Sequence, residues 1–236
     1  MPQRKDHLVQ GEIYHIYNRG VDKRDIFMDD EDRFRFIHDL FEFNDVNPSP
    51  NMNEILFNKK MKNMEVGLPY MREPRKVLVE ILAYCLMDNH FHMILRQKAE
   101  NGITEFMRKL GTGYTNYFNQ KYERSGSLFG GKFKSVCIKN DAHLMYLPVY
   151  IHLNPLDFKF HEWREKKIKN TKEAIKFLDS YRWSSYMDYT GQKNFPSLIN
   201  KSFIFSRIGN EKNFKKEIIE WIKNFDELMI FGVGLE

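Results

Sequence analysis

Cysteine is scarce: Cys85 and Cys137 are the only two in 236 residues. Thiols so few and so far apart make neither a disulfide framework nor a zinc knuckle, and read as reduced side chains. No apolar run approaches the roughly 20 residues that a membrane span needs. The opening stretch MPQRKDHLVQ lacks the apolar centre of a secretory signal. The expectation is a soluble, cytoplasmic protein without a membrane partner. There is no G-x-x-x-x-G-K-[ST] loop for nucleotide phosphates, and no internal repeat. Core-forming residues are plentiful: 42% of the chain is hydrophobic and 15% aromatic, which excludes global disorder. A net charge of +5 suits a nucleic-acid partner without demanding one.

GEIYHIYNRG alternates around Ile13, His15 and Tyr17 and then meets Asn-Arg-Gly, a strand entering a turn. In DDEDRFRFIHDLFEFN, Asp29 or Asp30 can cap a helix on which Phe34, Ile37, Leu40 and Phe41 recur at helical spacing. Residues 44–76, rich in Asn and Pro, read as a long connection. KVLVEILAYCLMDNHFHMIL reads as two strands joined at Met87-Asp88-Asn89. A helix follows, with Phe106, Leu110, Tyr114 and Tyr117 on one side, then a Gly-rich turn and a fourth strand. DAHLMYLPVYIHLNPLDF reads as a helix interrupted at Pro148 and Pro155. YRWSSYMDYTG reads as an aromatic, loop-like stretch, and EKNFKKEIIEWIKNF as a last helix. The order strand, helix, strand, strand, helix, strand predicts a ferredoxin-like α+β sandwich with an antiparallel sheet and a C-terminal helical extension. The predicted boundary divides residues 1–160, the core domain, from a basic, helical part at 161–236.

The chemistry is concentrated in LMDNHFHMIL. On a strand, His90 and His92 share a face while Phe91 points the other way. Paired imidazoles suit a divalent metal; they are equally two surface histidines until a third ligand is found. VYIHLNPL offers one. If the stretch is helical, Tyr150 and Asn154 lie nearly one above the other and His152 faces away, because four residues turn about 400°. If it is extended, all three share a face. Otherwise Tyr150 is a core aromatic and Asn154 merely ends a helix before Pro155.

GEIYHIYNRGVDKRDIF, AYCLMDNHFHMIL, GSLFGGKFKS, YIHLNPL and YRWSSYMDYTG stand in the order found in REP-associated tyrosine transposases. The chain resembles this branch of the His-hydrophobic-His single-strand DNA transposases over roughly residues 10 to 190. The resemblance implies a ferredoxin-like catalytic domain that cuts and rejoins single-stranded or hairpin DNA through a transient 5′-phosphotyrosine. It implies Tyr150 as nucleophile, and His90, His92 and Asn154 as ligands of Mg²⁺ or Mn²⁺. The expected partner is DNA, bound as monomer or homodimer, with the protein associated with the nucleoid when bound. The alternative is a non-catalytic, domesticated protein that binds the same hairpins. Lys121, Arg124, Lys132 and Lys134, interleaved with Tyr122, Phe129 and Phe133, can meet phosphates and stack bases; the same strip can be a solvated turn. Asn18 and Arg19 are candidates for contacts beside the active site. Tyr114 and Tyr117 are rival nucleophiles, ranked lower because no amide follows either by four residues. His15 reads as a packing histidine. Arg164, Lys166, Lys167, Lys169 and Lys172 read as a solvated face or a neutraliser of a hairpin stem.

Overall fold

Alternation along β1 (Ile13–Arg19) sends Tyr14 and Ile16 into one hydrophobic cluster and Ile13 into another, on opposite faces of a sheet. The computed structural model describes residues 7–47, 75–165 and 168–224. β1 lies between β3 (His90–Gln97) and β4 (Lys134–Cys137), and β2 (Val79–Met87) pairs with the far side of β3. The order is β2-β3-β1-β4 with every pairing antiparallel. This is the expected ferredoxin-like arrangement. A register shift between Ile81 and Ala83 in β2 changes which residues face which layer: Ile81 and Tyr84 go to one cluster, Leu82 and Ala83 to the other.

One face is covered by α1 (Asp30–Glu42) and α2 (Gly102–Lys121). Asp29 caps α1 by accepting the Asp32 N–H at 2.9 Å. Phe36, Ile37 and Leu40 meet Ile103, Phe106, Leu110 and Tyr114 beneath the sheet. The other face, which carries His90 and His92, is covered by α3 (Asp141–Leu153), capped by Asn140 through the His143 N–H at 2.8 Å.

The expected interruption at Pro148 does not occur. α3 runs through it, and only Asn154–Phe158 tightens into a 3-10 turn at Pro155. A proline inside a helix costs about 3 kcal/mol. Burial of every residue from Leu147 to Leu153 offsets it here. That burial comes from α4 (Thr171–Ser180), α5 (Tyr186–Tyr189), α6 (Ser202–Ile208) and α7 (Glu211–Asn224), which share one cluster with α3.

The stretch expected to be loop-like instead contains the single helical turn α5, because Tyr186 and Tyr189 are fully buried. The segments on either side of it run along β2. Before it, Leu86 N–H donates to Trp183 O at 2.9 Å and Ser185 N–H to Tyr84 O at 3.0 Å; after it, Asn200 N–H donates to Ile81 O at 2.9 Å. An edge strand that would otherwise present unpaired amides is thereby covered. Most of the expected connection at 44–76, and Lys166 and Lys167, lie outside the described residues.

Gly20 ends β1 beside the histidine hairpin, donating its N–H to Asn89 O at 2.9 Å. A Cβ there would stand 2.2 Å from the Arg24 carbonyl oxygen and 2.9 Å from Ile26 Cγ2. Gly20→Ala is expected to destabilise by about 2 kcal/mol through overpacking. The measurement is the urea midpoint at unchanged slope; an unchanged midpoint would show that the turn yields freely.

Candidate active site

The β2–β3 turn is fixed from several sides. Ile26 and Phe27 N–H both donate to Asp88 O, at 2.8 and 3.1 Å, and Asn89 Nδ2 donates to Lys23 O at 3.1 Å. Arg33 pairs with the Asp88 carboxylate. From this turn His90 and His92 project to the same face, ring centroids 5.0 Å apart and nearly perpendicular. His90 Nδ1 lies 2.6 Å from Asn89 Oδ1. The oxygen can only accept, so the ring proton sits on Nδ1 and the lone pair on Nε2.

His92 is buried, and its Nδ1 lies 2.9 Å from His15 Nε2. Burial, and then the neighbouring His15, His90, Arg164 and Arg19, hold His92 neutral well below the ordinary imidazole range. Neutrality is what metal ligation requires. Ligation through Nε2 would place the His92 proton on Nδ1, donated to His15 Nε2, and the His15 proton on its own Nδ1. That buried atom has no hydrogen-bond partner among the described residues.

Tyr150 on α3 and Asn154 at its C-cap stand one turn apart, as helical spacing predicts. The Tyr150 ring stacks on Tyr146 at 5.9 Å, and meets Trp163 at 6.2 Å and His92 edge-on at 6.3 Å. Asn154 is fully buried and donates its amide N–H to Tyr150 O at 2.8 Å. That bond aims Oδ1 away from the helix axis, where it accepts from Arg164 Nη2 at 3.2 Å. Arg164 Nη1 also reaches Tyr150 Oη at 3.3 Å, and Asp157 holds the guanidinium through both carboxylate oxygens, at 3.1 and 2.7 Å. His152 faces away, hydrogen-bonded to Ser185 Oγ at 2.7 Å, and burial pushes its pKa down to about 3.

Imidazole nitrogens and an amide oxygen are neutral donors of the kind a divalent ion takes. Among the described residues no group of three or more His, Cys, Asp or Glu could hold a metal. The rival tyrosines lie in the layer on the other side of the sheet. Tyr114 is buried and donates to Ile26 O at 2.6 Å, and Tyr117 donates to Asp32 Oδ1 at 3.0 Å.

A groove of about 1460 Å³ lies between α2 and the Gly-rich turn, lined in part by Tyr17, Asn18, Phe129, Lys132, Phe133 and Lys134. Its link to the histidines is Tyr17, which stacks on His15 at 5.0 Å and on His92 at 5.8 Å, with Lys134 Nζ 5.6 Å from the Tyr17 ring. Asn18 Nδ2 donates to Gly131 O at 3.1 Å and ties β1 to this wall. Arg19 stands opposite His90 in the β1–β3 register. Lys132 and Lys134 are exposed.

Lys121 and Arg124 are placed differently. Lys121 Nζ is held by Asp29, Glu31 and Asp32 at 2.8 to 3.0 Å and ties α2 to the start of α1. Arg124 donates to Asn119 Oδ1 at 2.7 Å and to Ser127 O at 3.3 Å, bracing the turn.

Two contributors to this site escape a reading of the sequence. His15 shares the His90 and His92 face only once the β1–β3 register is known. Arg164 lies in a basic run that reads as solvated, and its return to Tyr150 depends on the turns around Pro155.

No curated protein matches the chain. A solved structure described as a REP-associated tyrosine transposase bound to a REP hairpin aligns with a TM-score of 0.49 at 12% identity, covering 83% of this chain and 89% of that one. The family model described as "Transposase IS200 like" matches residues 70–154. That stretch holds β2, the histidine pair, the groove helix α2, β4 and the whole tyrosine helix, and over it this chain is similar to the IS200-like transposases.

Proposed function

We propose that the protein is a metal-dependent single-strand DNA transposase that cleaves and rejoins DNA near hairpins through a 5′-phosphotyrosine on Tyr150. The observation that carries this reading is the placement of the Tyr150 ring 6.3 Å from His92, with Asn154 one helical turn further on at the C-cap of α3. It accords with the IS200-like family match over the same elements.

His90, His92 and Asn154 would hold Mg²⁺ or Mn²⁺. Bound there, the ion supplies Lewis-acid polarisation of the scissile phosphate and neutralises charge in the transition state. The chain's own residues do the rest. The rings of Tyr146 and Trp163 fix the plane of Tyr150. Its oxygen forms the bond to phosphorus as the bond to the 3′-oxygen breaks. The phenol proton passes to solvent and the 3′-oxygen takes one from it. The covalent link conserves the phosphodiester's energy, so a second 3′-hydroxyl can reverse the step without nucleotide hydrolysis.

The groove lined by Tyr17 suits an unpaired strand. Lys132 and Lys134, with Asn18 and Arg19, lie where phosphates would pass, and the half-buried rings of Phe133 and Tyr17 stand beside them for bases, whereas Phe129 is buried in the core. Lys121 and Arg124 act in this reading by holding that wall in place. Residues 1–160 form the catalytic part, and the extension from 161 closes over α3.

The test incubates the whole chain and Mn²⁺ with hairpin oligonucleotides labelled at either end. The expected product is a denaturation-resistant adduct on the fragment 3′ to the cut, with mass spectrometry locating the nucleotide on Tyr150. Cleavage without an adduct at any time would instead mean a nuclease using water. Hairpin binding without cleavage would mean the non-catalytic alternative.

A further inference from the structure

Arg164 belongs to the extension, yet its guanidinium ends at the atoms the proposed reaction uses. A guanidinium has five N–H donors. Nε and one N–H of Nη2 go to Asp157, the second N–H of Nη2 goes to Asn154 Oδ1, and one N–H of Nη1 goes to Tyr150 Oη. Among the described residues nothing takes the other Nη1 hydrogen, which can meet an incoming group. The side chain is 44% exposed, so substrate can reach that edge. The aim is fixed from behind: Asp157 also accepts the Trp163 indole N–H, and the Trp163 ring lies 4.5 Å from the guanidinium carbon.

We propose that Arg164 is a catalytic residue of this site, binding the Tyr150 oxygen as it becomes phenolate and, through its remaining N–H, the non-bridging oxygen of the phosphate under attack. The inference rests on Tyr150 being the nucleophile. It follows from hydrogen-bond direction. Because Tyr150 Oη accepts from Arg164, the phenol's own hydrogen points elsewhere, towards whatever removes it. A cation against the oxygen favours the ionised form over the neutral one. The same contact serves the reverse step, in which the tyrosine oxygen leaves phosphorus carrying negative charge. Asp157 is the positioning residue: its two oxygens set the guanidinium plane, which a lysine in place of Arg164 could not reproduce.

The experiment follows adduct formation on a labelled hairpin with Mn²⁺ across pH, and hairpin affinity separately, in the wild type, Arg164→Gln, Arg164→Lys and Asp157→Asn. Adduct formation by Arg164→Gln at neutral pH is expected to slow by roughly tenfold to a hundredfold and to recover as pH rises, with smaller losses in Arg164→Lys and Asp157→Asn. Hairpin affinity should stay within about threefold, since one contact among several is lost.

Adduct formation by Arg164→Gln at the wild-type rate across pH overturns the proposal even though the wild type forms its adduct. If Arg164→Gln does not fold, unchanged rates in both Arg164→Lys and Asp157→Asn overturn it instead. A wild type that forms no adduct at all sinks the transposase reading, and with it a catalytic role for Arg164.

Discussion

Tyr150→Phe is expected to lose the covalent protein–DNA adduct entirely and to slow strand cleavage by at least about 10⁴-fold, because no other group inherits the role of a deleted nucleophile. The fold should be nearly untouched. Phenylalanine keeps the stack on Tyr146 and the contacts with Trp163 and His92. What it gives up towards Arg164 is a 3.3 Å hydrogen bond at a half-exposed guanidinium, of about 1 kcal/mol at most. Hairpin binding should therefore survive in the inactive protein. The contrast is Tyr114→Phe, which breaks a buried 2.6 Å bond to the Ile26 carbonyl beneath the opposite face. That variant should lose about 1 to 2 kcal/mol of stability and keep its adduct. A denaturing gel and a urea titration of each variant decide the matter. Persistent adduct in Tyr150→Phe would move the nucleophile elsewhere.

Mild acid should destabilise the protein steeply. Burial pushes both His15 and His152 down to about 3, with His143 adding to the effect at His15. In the unfolded chain each titrates near 6.5. Between those values the unfolded state binds more protons than the native one, so stability is complete above about pH 6.5 and is lost as pH falls towards 3. The slope is about 1.4 kcal/mol per pH unit for each ring, or roughly 4 kcal/mol for the two together between pH 7 and 5. That is a large share of the 5–15 kcal/mol typical of a domain, and His92 shifts in the same direction. Unfolding in urea at pH 7, 6 and 5 measures it. His152→Gln should be less stable at pH 7, since it disturbs the ring's seat among Tyr186, Tyr189 and Phe214. Its pH dependence should be shallower by about a third, one of three buried rings being removed. A flat profile in the wild type would mean that water reaches these rings.

Much of the fold is legible in local pattern. The alternation of β1, the turn at Asp88-Asn89 and the helical recurrence of Phe106, Leu110 and Tyr114 each depend on neighbours a few residues away. The strand and helix order then leaves few ways to pack them. Tyr150 over Asn154 is legible for the same reason, since helical spacing sets it. What is not legible depends on contacts distant in sequence. Pro148 reads as a break because its penalty is local, while the burial that offsets it comes from helices twenty or more residues later. Tyr186 and Tyr189 look like loop aromatics until α3 and α7 enclose them. Lys121 reads as a free cation because Asp29, Glu31 and Asp32 are about ninety residues away. The His15 partnership with His92 spans 77 residues, and it exists only because β1 pairs with β3 in one register.

The strip from Trp183 to Asn200 lies along β2 as a lining lies along a seam, taking up the backbone groups of Tyr84 and Leu86 and offering a donor to Ile81. A sheet trimmed back to its four strands would carry that seam open, and two such remnants could zip together edge to edge. The extension is thus a guard against self-association as well as a roof for α3. Any rearrangement of the gene that separated this strip from the four strands would leave a sticky fragment in place of a smaller soluble sheet.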